Sequence, residues 1–256
     1  MAQTITRRGS TGLVENIKTI VYAGLIAIGI RTVAFEPFNI PSGSMIPTLL
    51  VGDYLFVSKY SFGYSRFSLP LATFIPSFGR VFGRLPARGD VAVFKLPRDN
   101  ATDYIKRIVG LPGDRIQMKS GQLYVNGTQV VRRDAGDYLA EDNGPRMLMK
   151  RYQETLPGSP AIPRERVHFI LKADDNQLLD NTQEFKIPEG MVFAMGDNRD
   201  NSLDSRVLNA VGFIPLENLV GRAEFIFFSI DAAAPWWQVW EWPFEIRWSR
   251  LFSGIT

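Results

Sequence analysis

An uncharged stretch close to the N-terminus constrains this chain more than any other feature. Ile17 to Phe35 reads IKTIVYAGLIAIGIRTVAF, with charge only at Lys18 and Arg31. As a helix these nineteen residues reach roughly 28 Å, nearly a bilayer core once Lys18 and Arg31 snorkel to its two edges. Glu36-Pro37 ends the helix and begins an exported segment. Arg7, Arg8 and Lys18 on the leading flank favour a cytoplasmic N-terminus with the body outside the cytoplasm. A cleaved signal peptide and a buried core helix are the competing readings of such a segment. The Arg7-Arg8 pair lacks the surroundings of a twin-arginine export signal and counts only as flanking charge. The organisation read from this is a tail at 1–16, an anchor at 17–35 and a body at 36–256.

The body's chemistry is narrowed by what it lacks. There is no cysteine, which removes disulfides, thiol nucleophiles and thiolate metal sites. The single histidine, His168, leaves no H-E-x-x-H helix, so no metal and no cofactor is expected. Lys plus Arg number 29 against 26 Asp plus Glu, scattered without a basic block, so nucleic acid is not an expected partner. Hydrolytic chemistry must then come from Ser, Thr, Lys, Asp or Glu.

Gly-Asp pairs punctuate the body, at Gly52-Asp53, Gly89-Asp90 and Gly113-Asp114, each opening an extended run. Each reads as a turn followed by a strand. Asn126-Gly127 between LYV and TQVV is a hairpin signal. The segment between Phe62 and Gly89, rich in Gly, Pro, Ser and Phe, reads as a long loop with room for a hairpin. The fold class is therefore mainly β: an antiparallel β-sheet core with an inserted β-rich second lobe at about 117–186, tethered by one N-terminal transmembrane helix. In that insert the polar runs RRDAGDYLAEDNGPRM and KADDNQLLDNTQ are read as lying between short strands. All five tryptophans, Trp236, Trp237, Trp240, Trp242 and Trp248, crowd near the end, where indole suits either a membrane–water boundary or a packed core edge.

Three clusters could carry chemistry. In IPSGSMIPTL, at 40–49, two serines flank a glycine between prolines, a turn able to expose a hydroxyl while aiming amide hydrogens at one point. In DYIKRIV, at 103–109, strand periodicity puts Tyr104, Lys106 and Ile108 on one face and Ile105, Arg107 and Val109 on the other. A lysine acts as a base only when neutral, and lowering its pKa from about 10.4 by roughly two units costs about 2.7 kcal/mol. Burial can impose that. The third cluster, MGDNRDNSLDSR at 195–206, looks built to hold a loop by Arg–carboxylate forks. A calcium loop is a poor fit, because the position of the bidentate glutamate falls on Leu208 or Val211.

Together these clusters resemble the bacterial type I signal peptidases, membrane-bound serine proteases with a Ser/Lys dyad. The carrying motifs are IPSGSMIPTLLVGD (40–53), RGDVAVFKLP (88–97), DYIKRIVGLPGD (103–114) and MGDNRDNSLDSR (195–206), in the family's order. The resemblance implies Ser44 as nucleophile and Lys106 as general base, with Ser42 and the Ser44 amide as oxyanion hole. Ser202 would orient the amine, and Asp204 with Arg206 would brace the site. Ile40, Pro41, Leu55, Tyr104 and Ile105 would line shallow pockets for small side chains, giving cleavage after Ala-x-Ala. It further implies preproteins bearing signal peptides and membrane phospholipids as partners, with transient contact to the export machinery left open. The location implied is the bacterial cytoplasmic (inner) membrane, with the catalytic body on the periplasmic side. This chain offers one span where some members carry two, and lacks the cysteine pair of others. Ser44 lies nine positions after Phe35, so the hydroxyl lies within roughly 30 Å of the anchor's end.

Other classes compete. A triad on His168 requires that residue to reach Ser44. A penicillin-recognising enzyme fails because no S-x-x-K occurs. A membrane-anchored, non-catalytic β module that binds envelope partners is the alternative from outside enzymology.

Overall fold

The computed structural model describes residues 11–69, 75–141, 146–160, 162–231 and 242–256. Helix α1, Thr11–Val33, is apolar on every side, and none of its span Val14–Val33 is buried against the rest of the molecule. It begins ahead of the expected Ile17 and stops short of Phe35. Phe35 instead opens strand β1 (Phe35–Asn39), which pairs antiparallel with β2 (Asp53–Ser58), Phe35 opposite Ser58. Proline at 37 disfavours helix at Glu36, and the gain in strand pairing sets the boundary. Arg7 and Arg8 lie outside the described residues.

The fold is mainly antiparallel β. The main sheet has seven strands in the order β1-β2-β14-β3-β4-β12-β13. Its remaining members are β3 (Val91–Lys95), β4 (Asp103–Gly110), β12 (Met191–Met195), β13 (Ile214–Pro215) and β14 (Leu219–Ser229). Between β4 and β12 the chain builds two smaller sheets. One joins β5 (Arg115–Lys119), β6 (Gln122–Val125), β7 (Thr128–Gln129) and β11 (Phe185–Lys186) in the order β11-β5-β6-β7. The other joins β8 (Val131–Ala140), β9 (Met147–Leu156) and β10 (Arg166–Lys172) in the order β10-β9-β8.

The Gly-Asp pairs share one construction. Gly52, Gly89 and Gly113 have φ of 86, 94 and 85°, the conformation a type II turn needs at its third residue. The following aspartate closes each turn by accepting from the amide three residues back: Leu50 N to Asp53 at 2.7 Å, Ala87 N to Asp90 at 2.8 Å and Leu111 N to Asp114 at 2.8 Å. An arginine then ties each carboxylate elsewhere, Arg250 to Asp53, Arg166 to Asp90 and Arg88 to Asp114. Asn126 and Gly127, both with positive φ, form the two-residue turn between β6 and β7. In the long loop, Tyr64 and Val81 make an isolated antiparallel bridge.

The polar run RRDAGDYLA departs from expectation, since it lies within the ten-residue strand β8. Asp134 faces Tyr152 and Asp137 faces Lys150, so two residues oppose Arg151 alone, and Gly136 sits at φ +88° in that bulge. Along β8 only Ala140 is buried, so the strand has no buried apolar face to impose an alternation, which is why its sequence hides it.

Candidate active site

Ser44 sits on a single 3₁₀ turn, Gly43–Met45, shortly after β1. Met45 and Leu49, wholly buried in an apolar cluster with Leu55, Val57, Val91 and Val93, fasten this turn to the sheet. Each such side chain contributes about 1.5–3 kcal/mol through burial. Asn198 clamps the turn from the other side. Its amide donates to Ser44 O at 3.1 Å, and its side-chain Nδ2 donates to Gly43 O at 3.1 Å. Gly196 packs so close that a Cβ there would collide with Ser202 Oγ and the Ser44 carbonyl.

Lys106 comes from β4, opposite Ala92 of β3. Its Nζ lies 2.6 Å from Ser44 Oγ and donates to Ile105 O at 3.0 Å. The side chain is only 4% exposed. Burial lowers its pKa from 10.5 to about 8, against the pull of Asp204 and Asp197. Both carboxylates are already committed. Asp197 takes a bidentate fork from Arg107 (2.8 and 2.7 Å) and the Thr48 hydroxyl at 2.5 Å. Asp204 takes Arg206 through Nε and Nη2, both at 2.8 Å, and the Gly196 amide at 3.0 Å. Burial pushes both carboxyls up, but Arg107 and Arg206 outweigh it and hold them below the ordinary value.

A cleft of about 390 Å³ opens over the pair, lined by Phe38, Ile40, Pro41, Ser42, Ser44, Val93, Tyr104, Ile105, Lys106 and Leu203, with Asp103, Asn39 and Asn201 at its edge. Of the residues expected to shape it, Ile40, Pro41, Tyr104 and Ile105 line it. Leu55 does not, because it is fully buried beneath, in the cluster that also holds Ile40. Ser42 is exposed beside Ser44. Ser202 Oγ is buried and makes no hydrogen bond to Lys106, whose amine is engaged by Ser44 and Ile105. Of the tryptophans, 236, 237 and 240 lie outside the described residues, and Trp248 is exposed with its indole N–H on Pro243 O at 3.0 Å.

His168 does not approach Ser44. It is buried between Glu154, 3.3 Å away, and Asp197, 3.9 Å away. Burial, helped by Arg107, lowers its pKa. Burial also acts to raise Glu154, but Arg199 and His168 override it and bring that carboxyl down to about 2. Sequence reading foresaw the Arg–carboxylate forks of 195–206 but not the clamp by Asn198, nor the partner of Arg107. Their partners are some 90 to 155 residues away in the chain, beyond any spacing rule.

A serine hydroxyl touching a buried amine, in an apolar cleft on an antiparallel sheet that carries an unburied apolar helix, is the arrangement of a membrane-anchored serine hydrolase. A family model described as signal peptidase, peptidase S26 matches residues 13–228. A signal peptidase I of Rickettsia typhi is 42% identical over 253 residues, covering 94% of this chain and 93% of the relative. One from Rickettsia conorii is 41% identical over 242 residues, covering 90% and 88%. A crystal structure of a signal peptidase I from Enterococcus faecalis V583 aligns with 54% of this chain and 97% of its own, at 25% identity and a TM-score of 0.30, too low to bear on the fold. The chain belongs to the peptidase S26 signal peptidase family and is a serine peptidase.

Proposed function

We propose that this protein removes N-terminal signal peptides from exported preproteins by a Ser44/Lys106 dyad. One observation carries the reading: Ser44 Oγ lies 2.6 Å from an amine whose pKa is about 8. The neutral Lys106 amine takes the Ser44 proton as Oγ attacks the scissile carbonyl. The Ser44 amide and the Ser42 hydroxyl stabilise the oxyanion. As the tetrahedral species collapses, the C–N bond breaks and Lys106 returns the proton to the departing amine. Water, activated by the same amine, then releases the signal peptide from the acyl-enzyme and regenerates Ser44.

The shallow apolar lining from Ile40, Pro41, Tyr104 and Ile105, supported from beneath by Leu55, suits small side chains and so Ala-x-Ala. Asp204 and Arg206 brace the loop behind the lysine, and Ser202 of the same loop orients the amine. The anchor sets the location: residues 1–16 in the cytoplasm, the anchor 17–35 in the cytoplasmic membrane, and 36–256, with the lobe near 117–186, on the periplasmic face. There the body meets phospholipid, preprotein and, transiently, the export machinery.

The test is cleavage of a preprotein whose signal ends in Ala-x-Ala. Ser44→Ala should abolish it, with a loss of about 10⁴-fold or more and an unchanged circular dichroism spectrum. Wild-type-like cleavage by the variant would sink the dyad, and no cleavage by the wild-type protein would leave a non-catalytic module that binds envelope partners as the better description.

A further inference from the structure

We infer that Leu203 and Asn201 form the seat for the first residue of the mature chain, the side chain just past the cut, and that this loop decides which residues are accepted there. The inference rests on the proposed signal-peptide cleavage and deepens it with a specificity site on the departing side. Along 201–204 burial alternates: Ser202 and Asp204 are buried, Asn201 and Leu203 exposed, Leu203 at 49%. Alternation of this kind places Asn201 and Leu203 on one side of an extended segment, and both line the cleft over Ser44 and Lys106.

The display is held in place. Asn201 N donates to Asn198 O at 3.1 Å, and Asn198 in turn clamps the Ser44 turn. Beyond Leu203, Ser205 N donates to Ala194 O at 3.1 Å and Ser205 Oγ accepts from Ala194 N at 3.0 Å, which ties the loop to β12. Arg206 Nη2 reaches Arg199 O at 2.6 Å across the base of the loop. Leu203 belongs to none of the buried apolar clusters among the described residues, so its exposed face is free to meet a side chain of the substrate.

Two observations orient the substrate. A cavity of about 550 Å³, lined in part by Ile28 and Arg31 of α1, shares Phe38 and Asp103 with the cleft. A signal segment lying beside α1 therefore enters at that end, along the walls from β1 and β4. The second observation is the place of the base. Lys106 returns its proton to the departing amine, so the first mature residue must lie on the lysine's side of Ser44. Asn201 and Leu203 come from the loop that also carries Asp197 and Asp204, the carboxylates near that lysine. The seat is an aliphatic wall with an amide at its edge, and it takes uncharged side chains with their aliphatic part against Leu203.

The test uses full-length protein and soluble peptides that carry Ala-x-Ala followed by Lys, Asp, Leu or Ser. Leu203→Glu should raise the ratio of kcat/KM for Lys over Asp at that position by about fivefold relative to wild type, and Leu203→Lys should lower it as much. Each ratio is taken within one enzyme, so any change in the Lys106 amine cancels. Asn201→Asp, at an exposed residue, should shift the ratio in the same direction as Leu203→Glu, which keeps the test decisive if position 203 tolerates no charge. Leu203→Ala should lower kcat/KM for Leu relative to Ser by about threefold. The same charges at the x of Ala-x-Ala should give ratios that none of these variants changes. Ratios that stay put at the first mature residue overturn the seat, and so do ratios that move at a position before the cut. Wild-type-like cleavage by Ser44→Ala would instead remove the dyad reading, and the seat with it.

Discussion

Two lysines are buried side chains on strands of this molecule, and they live in opposite company. Lys106 meets a hydroxyl and a carbonyl, while the nearby carboxylates of Asp197 and Asp204 are held by Arg107 and Arg206. Lys172, at the end of β10 and with no exposure at all, is gripped by Asp180 at 2.5 Å and Asp200 at 2.9 Å, with Asp175 at 4.0 Å. Burial alone does not make a base. An interior amine gives up its proton near neutrality only where the neighbouring negative charge has been assigned to other cations.

The two are also joined. Asp200, which binds Lys172, and Asn198, which clamps the Ser44 turn, belong to one loop. Leu171 N donates to Asp197 O and Arg199 N donates to Leu171 O, both at 2.9 Å, an isolated parallel bridge between β10 and that loop.

The contrast is broken most severely at Lys106. Lys106→Met should lower kcat by about 10²- to 10⁴-fold. Its effect on stability has the opposite direction. The folded-state pKa lies below the unfolded value, so between about pH 8 and 10.5 the unfolded chain binds the extra proton and stability rises with pH. Below that window the buried charge costs on the order of 3 kcal/mol, so the methionine variant should be the more stable protein near pH 7, an advantage that fades toward pH 10.5. Denaturant titrations at several pH values check this, and a variant destabilised at pH 7 would contradict it.

Lys172→Met should do the reverse, leaving Asp180 and Asp200 buried without their cation and costing about 3–5 kcal/mol. Adding Asp180→Asn and Asp200→Asn should restore much of the loss. A single variant as stable as wild type would mean that the two sites do not differ as described.

Asn198→Ala should lower kcat by about tenfold with little change in KM, since one of the two bonds holding the Ser44 turn is lost while the cleft stays intact. An equal rise in KM would assign Asn198 to substrate binding instead.

The smallest effect sharpens the comparison. Wild-type activity should climb about tenfold per pH unit up to roughly pH 8 and then level, because only the neutral amine is competent. Arg206→Met returns the Asp204 charge to Lys106 and should move that midpoint up by as much as about one unit. A midpoint that stays put would show that Arg206 does not withhold that charge.

What could be read from the sequence was local. The Gly-Asp turns and the Asn126-Gly127 hairpin declare themselves within four residues, since a positive φ and a side-chain return bond need nothing distant. Ser44 and Lys106 stood out through their flanking motifs, and strand periodicity divided Lys106 from Arg107. Strand β8 was obscured because an element with almost no buried side chain carries no apolar period. Lys172 and His168 were opaque for another reason. Neither the histidine of VHFIL nor the lysine before Ala173 announces its burial until carboxylates such as Asp200, 28 residues from Lys172, fold against it.

The isolated bridge at Leu171 and Asn198 also bears on how such an insert can change over evolutionary time. The strand ends of β8 and β9 are tied to the Ser44 turn as well, since Ala140 and Met149 are buried in one cluster with Ile46 and Leu171. At the root, around Leu171–Ala173, a single added or missing residue would shift the Asp197–Asp200 loop out of step with the turn it grips. The lobe is therefore held in step with the nucleophile's turn both by this bridge and by the cluster around Ile46.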